Sequence, residues 1–239
     1  MHIGILQADH VLEQFQPEFG NYPEMFQRVF NEVDSAVQFT TYDVTVAVPT
    51  DLVCDAYLIT GSRHSVYDDL PWIPPLVEYL RTALQAGKKV VGICFGHQLI
   101  AHFFGGETGP AAVGWGVGVR EAQVLQHEAW MEGANAESVA TLCSHKDQVL
   151  KLPGQARAFA GSEFCPIAGF TMADQVITWQ GHPEFQAGYS QALLNFRREL
   201  LGEEVFGAGV ASLNAPTSEH QVVRWILNFL SGQSVEAQQ

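Results

Sequence analysis

The sequence predicts an α/β fold: a doubly wound, mostly parallel sheet with helices on both faces and an additional antiparallel β portion. Strand-like and helix-like segments alternate through the first half of the chain, which is the order that βαβ units require. Val90–Ile93 is apolar throughout, as expected for a strand covered by helices on both faces. After Gly105 and Gly106 the apolar segments become shorter and β-like, which indicates the antiparallel portion.

In the first half, hydrophobic periodicity separates the strands from the helices. Strands are predicted at His2–Gln7, Val37–Val48 (with its turn), Ala56–Thr60 and Val90–Ile93. A helix is predicted at Pro23–Val33, with proline at the start, where its missing N–H has no intrahelical partner to lose. A second helix carries Leu76, Leu80, Ala83 and Leu84 on one face and ends at Gly87, and a third covers Gln98–Phe104.

In the second half, short β-like pieces precede two helices. The β pieces are Val117–Leu125, Val139–Cys143, Ala156–Ala160, Ile167–Met172 and Val176–Gln180. The helices are Gln186–Leu201 and Glu219–Leu230, joined by a predicted loop at Gly202–Pro216 because this segment is rich in glycine. We expect a single domain over residues 1–231 and a polar tail at 232–239.

Composition and charge exclude several classes of partner. The chain has 239 residues, with 26 acidic against 12 basic residues and a formal net charge of −14. A nucleic acid or an anionic membrane surface would be repelled. The four cysteines show no C-x-x-C spacing, and the N-terminus lacks the features of a signal peptide. No apolar run is long enough to span a membrane, so we expect a cytoplasmic protein.

A cysteine lies at the most informative turn of the chain. The run KKVVGICFGHQ places Cys94 between Gly92 and Gly96, after the buried strand and before a helix. A sharp strand-to-helix turn of this kind exposes its central side chain at the carboxyl end of the sheet, next to a helix N-terminus whose dipole favours a thiolate. The string alone also describes an inert buried cysteine, which is the more common use of such a residue.

A cysteine nucleophile requires an imidazole base, which works best when a carboxylate orients it. Among nine histidines, His182 is distinguished because it follows the strand-like VITWQ and precedes Pro183 and Glu184. A residue at that strand end lies at the same edge of the sheet as Cys94. Taken alone, H-P-E also fits a solvated turn.

The two motifs GICFGHQ and QGHPEF together resemble the signature of class I glutamine amidotransferases. SHKDQV at residues 144–149 and the Gly114-Trp115-Gly116 segment are similar to further family segments, and the resemblance runs from the first strand through Glu184 and the following helix. It implies the flavodoxin-like fold of that family.

Carried over residue by residue, the resemblance implies that Cys94 is the nucleophile, His182 the general base and acid, and Glu184 the residue that orients His182. Gln98 matches a family residue that contacts bound glutamine. Ser144 and His145 match a backbone segment that holds the α-amino and carboxylate end of the substrate, although Ser-His followed by an aspartate also fits a helix cap.

The oxyanion that forms during acyl transfer needs two N–H donors. One is expected from Phe95, directly after the nucleophile, and the other from the loop after the third strand. Many amidotransferases carry Gly-Gly-Pro in that loop, whereas this chain has Gly61, Ser62 and Arg63, so the Ser62 N–H is the expected donor and Gly61 supplies backbone freedom. This altered loop resembles that of stand-alone members of the family, including γ-glutamyl peptidases.

The resemblance implies hydrolysis of the γ-amide of glutamine through a γ-glutamyl thioester, with no metal or organic cofactor. The sequence contains no G-x-x-x-x-G-K-[ST] loop, so a synthetase that receives ammonia would be a separate subunit. The alternative is a hydrolase of γ-glutamyl peptides or amides that transfers no ammonia. A more remote alternative is a binding module that has kept the fold without catalysis.

Overall fold

The fold is built on one large sheet in the computed structural model, which describes residues 1–131 and 136–232. The strands are β1 His2–Gln7, β2 Gln38–Asp43, β3 Ala56–Ile59, β4 Lys89–Ile93, β5 Glu107–Pro110, β6 Gly116–Val124, β7 Ser138–His145, β8 Asp147–Lys151, β9 Ala156–Gly161, β10 Gly169–Met172 and β11 Val176–Trp179. The helices are α1 Gln16–Phe19, α2 Tyr22–Val33, α3 Ile73–Gln85, α4 Phe95–Phe103, α5 Ala187–Phe196, α6 Arg198–Ser212 and α7 Glu219–Ser231.

The large sheet has the strand order β2-β1-β3-β4-β11-β10-β9-β6-β7. The first five strands in this order, β2, β1, β3, β4 and β11, run parallel to one another. β10, β9, β6 and β7 then add antiparallel pairs. The predicted doubly wound sheet with an antiparallel portion is therefore confirmed. β5 and β8, which the sequence did not predict as strands, form a small antiparallel sheet of their own.

Helices cover both faces of the parallel half, and alternate strand residues point into two separate cores. Ile3 and Ile5 of β1 pack with α2 and α7, whereas Leu6 packs on the other face with α3 and α4. This alternation follows from the two-residue period of a strand. Both faces are apolar, which explains why β3 and β4 lack polar alternation.

The segment after α5 differs from the prediction. Gly202–Pro216 was expected to be a loop, but α6 runs through most of it, with non-helical backbone only at Gly202 (φ 74°). Gly209 lies against β6, where an added Cβ would come within 2.9 Å of Val117 Cγ2. The glycine allows close helix packing here, and composition alone does not separate that use from a loop.

Helix α7 is the last described element of the chain. Gly232 caps α7 in the left-handed conformation, and the rest of the predicted polar tail, residues 233–239, lies outside the described residues. Within residues 1–131 and 136–232, every helix is too short or too polar to cross a membrane.

The fold brings three loops to one edge. β3, β4 and β11 are neighbours in the sheet and run in the same direction, so their carboxyl ends lie side by side. The loops that follow them begin at Thr60, Cys94 and Gln180. An edge of this kind is where open α/β sheets bind ligands.

Candidate active site

Cys94 occupies the turn between β4 and α4 and has an unusual backbone conformation, with φ 50° and ψ −96°. Its N–H donates to the Trp179 carbonyl of β11 at 2.9 Å, and its carbonyl accepts from the Gln98 N–H at 3.0 Å. These two hydrogen bonds hold the turn between the neighbouring strand and the first turn of the helix. The side chain is buried but lines the pocket described below.

The two flanking glycines are required by close backbone packing. A Cβ on Gly92 would lie 2.6 Å from the Gly96 carbonyl group, and a Cβ on Gly96 would lie 2.7 Å from the Ile59 carbonyl oxygen of β3. The turn can be this tight because neither position carries a side chain. This explains the spacing of the glycines on either side of Cys94.

His182 and Glu184 are joined across Pro183. The distance from His182 Nδ1 to Glu184 Oε1 is 2.7 Å, and the two side chains are 5% and 0% exposed. The His182 N–H donates to the Leu142 carbonyl at 2.7 Å, and Phe185 stacks on the imidazole at 3.9 Å between ring centroids. The imidazole is therefore held by its backbone, its ring face and Nδ1.

The environment of His182 favours its charged form. Burial lowers the pKa of His182, but the negative charges of Glu184 and Cys94 raise it by more, to about 10. A carboxylate at Nδ1 leaves Nε2 as the nitrogen that can exchange a proton with a reacting group. An imidazolium at neutral pH next to a cysteine is suited to donate that proton.

Gly61 provides the space that the imidazole occupies. A Cβ on Gly61 would lie 2.8 Å from His182 Cε1 and 3.6 Å from Cys94 Cβ. The loop after β3, the loop that carries His182 and the turn at Cys94, which we call the elbow, are therefore in direct contact. Gly61 was predicted to supply backbone freedom, and its structural position adds a steric reason for glycine.

The backbone N–H groups of Ser62 and Phe95 are available as donors. Phe95 is the first residue of α4, and Ser62 follows Gly61 in the adjacent loop. In the chain segments that the structure describes, neither N–H donates a hydrogen bond to another protein group. Two unengaged N–H groups beside the Cys94 turn are the type of donor from which an oxyanion hole is built.

An ion pair fixes the loop that carries Ser62. The Asp9 carboxylate, which follows β1, accepts from the Arg63 backbone N–H at 2.8 Å and from Arg63 Nε at 2.8 Å. Arg63 Nη2 also donates to the His10 carbonyl at 2.6 Å. These hydrogen bonds restrain the residue that directly follows Ser62.

A pocket of about 380 Å³ opens next to Cys94. Its walls come from the loop after β3, from α4, from the turn between β7 and β8, and from the start of α6. The predicted residues Ser62, Gln98, Ser144 and His145 all line it. Ser144 and His145 end strand β7, so the helix-cap alternative for them is wrong.

Gln98 and Gln180 tie the elbow to its surroundings. Gln98 Nε2 donates to the Asp147 carbonyl at 2.7 Å and to Gln180 Oε1 at 3.2 Å, and Gln180 Nε2 donates to Cys94 Sγ at 3.6 Å. Both amides are buried. The chain of amides links the pocket wall to the sulfur, and Gln180 was not predicted to belong to the site.

His145 is held as a neutral ring. Burial lowers its pKa to about 4, and its Nδ1 lies 3.1 Å from the Asp147 carbonyl. Gly116 packs against it, since a Cβ there would lie 2.7 Å from His145 Nε2. The imidazole therefore contributes shape and a hydrogen bond to the pocket wall and no charge at neutral pH.

The pocket also contains residues that were not among the predicted site residues. The Asp147 carboxylate accepts from Ser65 Oγ at 2.5 Å and from the Tyr67 hydroxyl at 2.9 Å, which connects the loop after β3 to the turn after β7. Arg197 reaches the pocket from the junction of α5 and α6. Their partners are distant in sequence, so no local pattern marks them.

Metal binding has no support in the part of the chain that the structure describes. No group of three or more His, Cys, Asp or Glu side chains in residues 1–131 and 136–232 has the arrangement of a metal site.

The fold and the site together define a class: an α/β protein with cysteine, histidine and glutamate side chains gathered at the carboxyl ends of parallel strands. The family model described as "Glutamine amidotransferase class-I" matches residues 17–198. The chain belongs to the class-I glutamine amidotransferase family.

Among curated proteins, the chain is similar to γ-glutamyl peptidase 3 of Arabidopsis thaliana, with 33% identity over 174 residues, 70% of each chain. It is also similar to the glutamine-hydrolysing GMP synthase of Aeropyrum pernix, with 32% identity over 145 residues, 60% of this chain and 26% of the synthase. The crystal structure of a glutamine amidotransferase from Thermotoga maritima superimposes with a TM-score of 0.74 at 18% identity, covering 99% of this chain and 100% of that one. The last similarity concerns the fold.

Proposed function

We propose that this chain hydrolyses γ-glutamyl amide bonds through Cys94 and releases glutamate and ammonia from glutamine. One observation carries the proposal: the buried hydrogen bond between His182 Nδ1 and Glu184 Oε1, 2.7 Å long, lies beside the Cys94 turn. This arrangement supports a nucleophile, a base and an orienting carboxylate. Membership of the class-I glutamine amidotransferase family adds support for the same reaction.

In the proposed first half-reaction, the Cys94 thiolate attacks the γ-carbonyl carbon of the substrate. The carbonyl oxygen takes the electron pair and accepts hydrogen bonds from the Ser62 and Phe95 N–H groups. As the tetrahedral intermediate collapses, the C–N bond breaks and the His182 imidazolium gives its proton to the departing nitrogen. The products are ammonia and a γ-glutamyl thioester on Cys94.

In the second half-reaction, neutral His182 accepts a proton from a water molecule, and the resulting hydroxide equivalent attacks the thioester carbonyl. Cys94 leaves as a thiolate and glutamate is released. Glu184 orients His182 throughout and stabilises its charged form. The γ-carboxylic acid that forms loses its proton to water, and the Cys94 thiolate and the His182 imidazolium are restored for the next cycle.

The test is glutamate release by Cys94→Ala against a matched cysteine variant. We expect Cys94→Ala to lose all measurable turnover of glutamine. Cys143→Ala removes another buried thiol and should keep most of the activity. Mass spectrometry of the wild type with a glutamine-like electrophile should find the adduct on Cys94. Full activity in Cys94→Ala would contradict the assignment, and a wild type with neither turnover nor adduct would indicate a non-catalytic binding module.

A second candidate function is hydrolysis of γ-glutamyl peptides or amides with larger leaving groups. The pocket favours it, because its lining continues from Cys94 to the exposed residues Tyr67 and Leu200. The similarity to γ-glutamyl peptidase 3 points the same way. Rates with glutamine, glutathione and γ-glutamyl amines distinguish the two functions, since strong turnover of glutamine alone counts against a peptidase.

We further propose that the released ammonia is used by a synthetase subunit. The similarity of this chain to a glutamine-hydrolysing GMP synthase supports a partner of that kind. The four cysteines are all free and buried, which supports our proposal of a reducing compartment such as the cytoplasm. Co-purification from the native host at low ionic strength tests for such a subunit.

A further inference from the structure

The pocket wall contains an arginine that has no acidic partner among residues 1–131 and 136–232. Arg197 lines the same pocket as Cys94. We propose that Arg197 binds a carboxylate of the substrate and thereby selects anionic γ-glutamyl compounds. The inference rests on the proposed function, since it names the substrate group that the same pocket recognises.

Arg197 is held in place before any substrate binds. Its Nη1 donates to Ser144 Oγ at 2.7 Å, and its guanidinium carbon lies 5.6 Å from the centre of the Trp115 ring. The residue is half-buried at the break between α5 and α6. A guanidinium fixed by one hydrogen bond and an aromatic contact has N–H groups left to donate, and it loses little conformational freedom on binding.

The charge of Arg197 is uncompensated within residues 1–131 and 136–232, where no carboxylate lies within 4.0 Å of it. Its sequence neighbour Arg198 behaves in the opposite way, with its Nη2 2.7 Å from Glu203 Oε2. In a chain with 26 acidic and 12 basic residues, an unpaired arginine in a pocket is available to an anionic ligand.

Other charges in the pocket agree with this assignment. Arg63 is neutralised by Asp9, and Asp147 is occupied by two hydroxyl donors. Lys146 also lines the pocket, but it is exposed and unanchored by any side-chain contact in the described segments. Arg197 is therefore the fixed cation of this wall, and a carboxylate is the group whose planar pair of oxygens matches a guanidinium.

Two carboxylates of a γ-glutamyl compound have the right chemistry. The α-carboxylate is present in every such substrate, and a peptide leaving group adds a second one. Ser144, which Arg197 contacts, belongs to the segment expected to hold the α-amino and carboxylate end. This contact favours the α-carboxylate, and the substrates below distinguish the two sources.

The experiment compares Arg197→Gln with the control Arg198→Gln, using L-glutamine and its α-amide, in which the carboxylate is neutral but similar in size. We expect Arg197→Gln to raise KM for glutamine about tenfold or more, as for loss of a charged hydrogen bond, with a smaller change in kcat. The α-amide should be turned over alike by the wild type and Arg197→Gln. Arg197→Lys should recover part of the loss, and Arg198→Gln should match the wild type.

A second pair of substrates, γ-glutamylglycine and γ-glutamylglycinamide, locates the carboxylate. A loss that follows the glycine carboxylate assigns Arg197 to the leaving group and still supports carboxylate binding. An unchanged KM for glutamine and γ-glutamylglycine in Arg197→Gln, or an equal loss on every compound including the amides, overturns the inference. Circular dichroism and thermal melting confirm that each variant is folded.

Calorimetric titration with L-glutamate separates this inference from the proposed function. If the wild type hydrolyses none of the substrates but binds glutamate more tightly than Arg197→Gln does, the role of Arg197 is supported and the proposed hydrolase activity is overturned. If the wild type turns over the substrates and KM does not change in Arg197→Gln, the hydrolase activity is supported and the role of Arg197 is overturned.

Discussion

The Asp9 carboxylate holds Arg63 by both its backbone and its side chain, with N–H and Nε each 2.8 Å from Oδ2. Asp9 follows β1 and Arg63 follows β3, so the contact joins two loops at the edge where the strands end. Asp9 is only 9% exposed, whereas Arg63 is 43% exposed. Since Ser62 directly precedes Arg63, the position of the proposed oxyanion donor depends on this pair.

Replacing Asp9 by asparagine should therefore reduce turnover more than substrate binding. We expect Asp9→Asn to lower kcat for glutamine about tenfold with KM nearly unchanged, because a displaced donor weakens stabilisation of the transition state. Steady-state kinetics provide the measurement. Asp43→Asn is the matched control, since Asp43 pairs with His10 in the same region and does not contact Arg63. Equal losses in both variants would show that Asp9 only supports folding.

A methyl group at Gly61 should disturb the imidazole directly. Gly61→Ala places a Cβ 2.8 Å from His182 Cε1, so the ring or the loop must move. We expect kcat to fall about tenfold to 100-fold, since small misplacements of reacting groups are costly to catalysis. Gly154→Ala, where nothing lies within 4 Å of the new Cβ, is the control. A Gly61→Ala enzyme with wild-type kcat would show that His182 needs no such space.

Glu184→Gln should shift the pH dependence of the reaction. The negative charge of Glu184 raises the pKa of His182 against the effect of burial, so a neutral amide should lower that pKa from about 10. The imidazolium that protonates the leaving nitrogen would then lose its proton at a lower pH, so the alkaline limb of the plot of kcat against pH should shift to lower pH. The control is Glu199→Gln on exposed α6. An alkaline limb that stays in place would exclude His182 as its source.

Gly207 and Gly209 of α6 should respond in opposite ways to replacement by alanine. Gly209→Ala introduces a Cβ 2.9 Å from Val117 Cγ2, and we expect it to lower the free energy of unfolding by about 1–3 kcal/mol through overpacking. The added Cβ of Gly207→Ala has no neighbour within 4 Å in the described part of the chain, and the substitution should raise the free energy of unfolding by up to about 1 kcal/mol, because alanine is the better helix former. Urea unfolding measures both. Similar changes in the two variants would contradict the packing role of Gly209.

The strands of the large sheet and the proximity of Cys94 to His182 could be predicted because both depend on local signals, whereas β5 and β8 were missed. A strand-like run ends shortly before Cys94 and another shortly before His182, and parallel strands bring their carboxyl ends to one edge of the sheet. The loop predicted at Gly202–Pro216 was wrong because a glycine that packs against a sheet and a glycine in a turn look alike in sequence.

Arg197 and the Asp9–Arg63 pair had no such signal. Arg197 resembles any helix-terminal arginine until Ser144 is placed beside it, 53 positions earlier in the chain. Asp9 and Arg63 are separated by 54 positions and sit in loops without periodicity. Contacts of this kind follow from the tertiary arrangement of elements, which local pattern does not specify.

The positive φ of Cys94 has a consequence for how this protein responds to selection. An L-residue in that region carries about 1–3 kcal/mol of backbone strain, and glycine adopts it freely. Cys94→Gly should therefore melt at a higher temperature than Cys94→Ala, and the backbone at the elbow is better suited to glycine than to the residue that the proposed chemistry requires. A library of variants sorted for thermal stability alone would drift toward losing its thiol, so engineering of this scaffold must select for turnover at the same time.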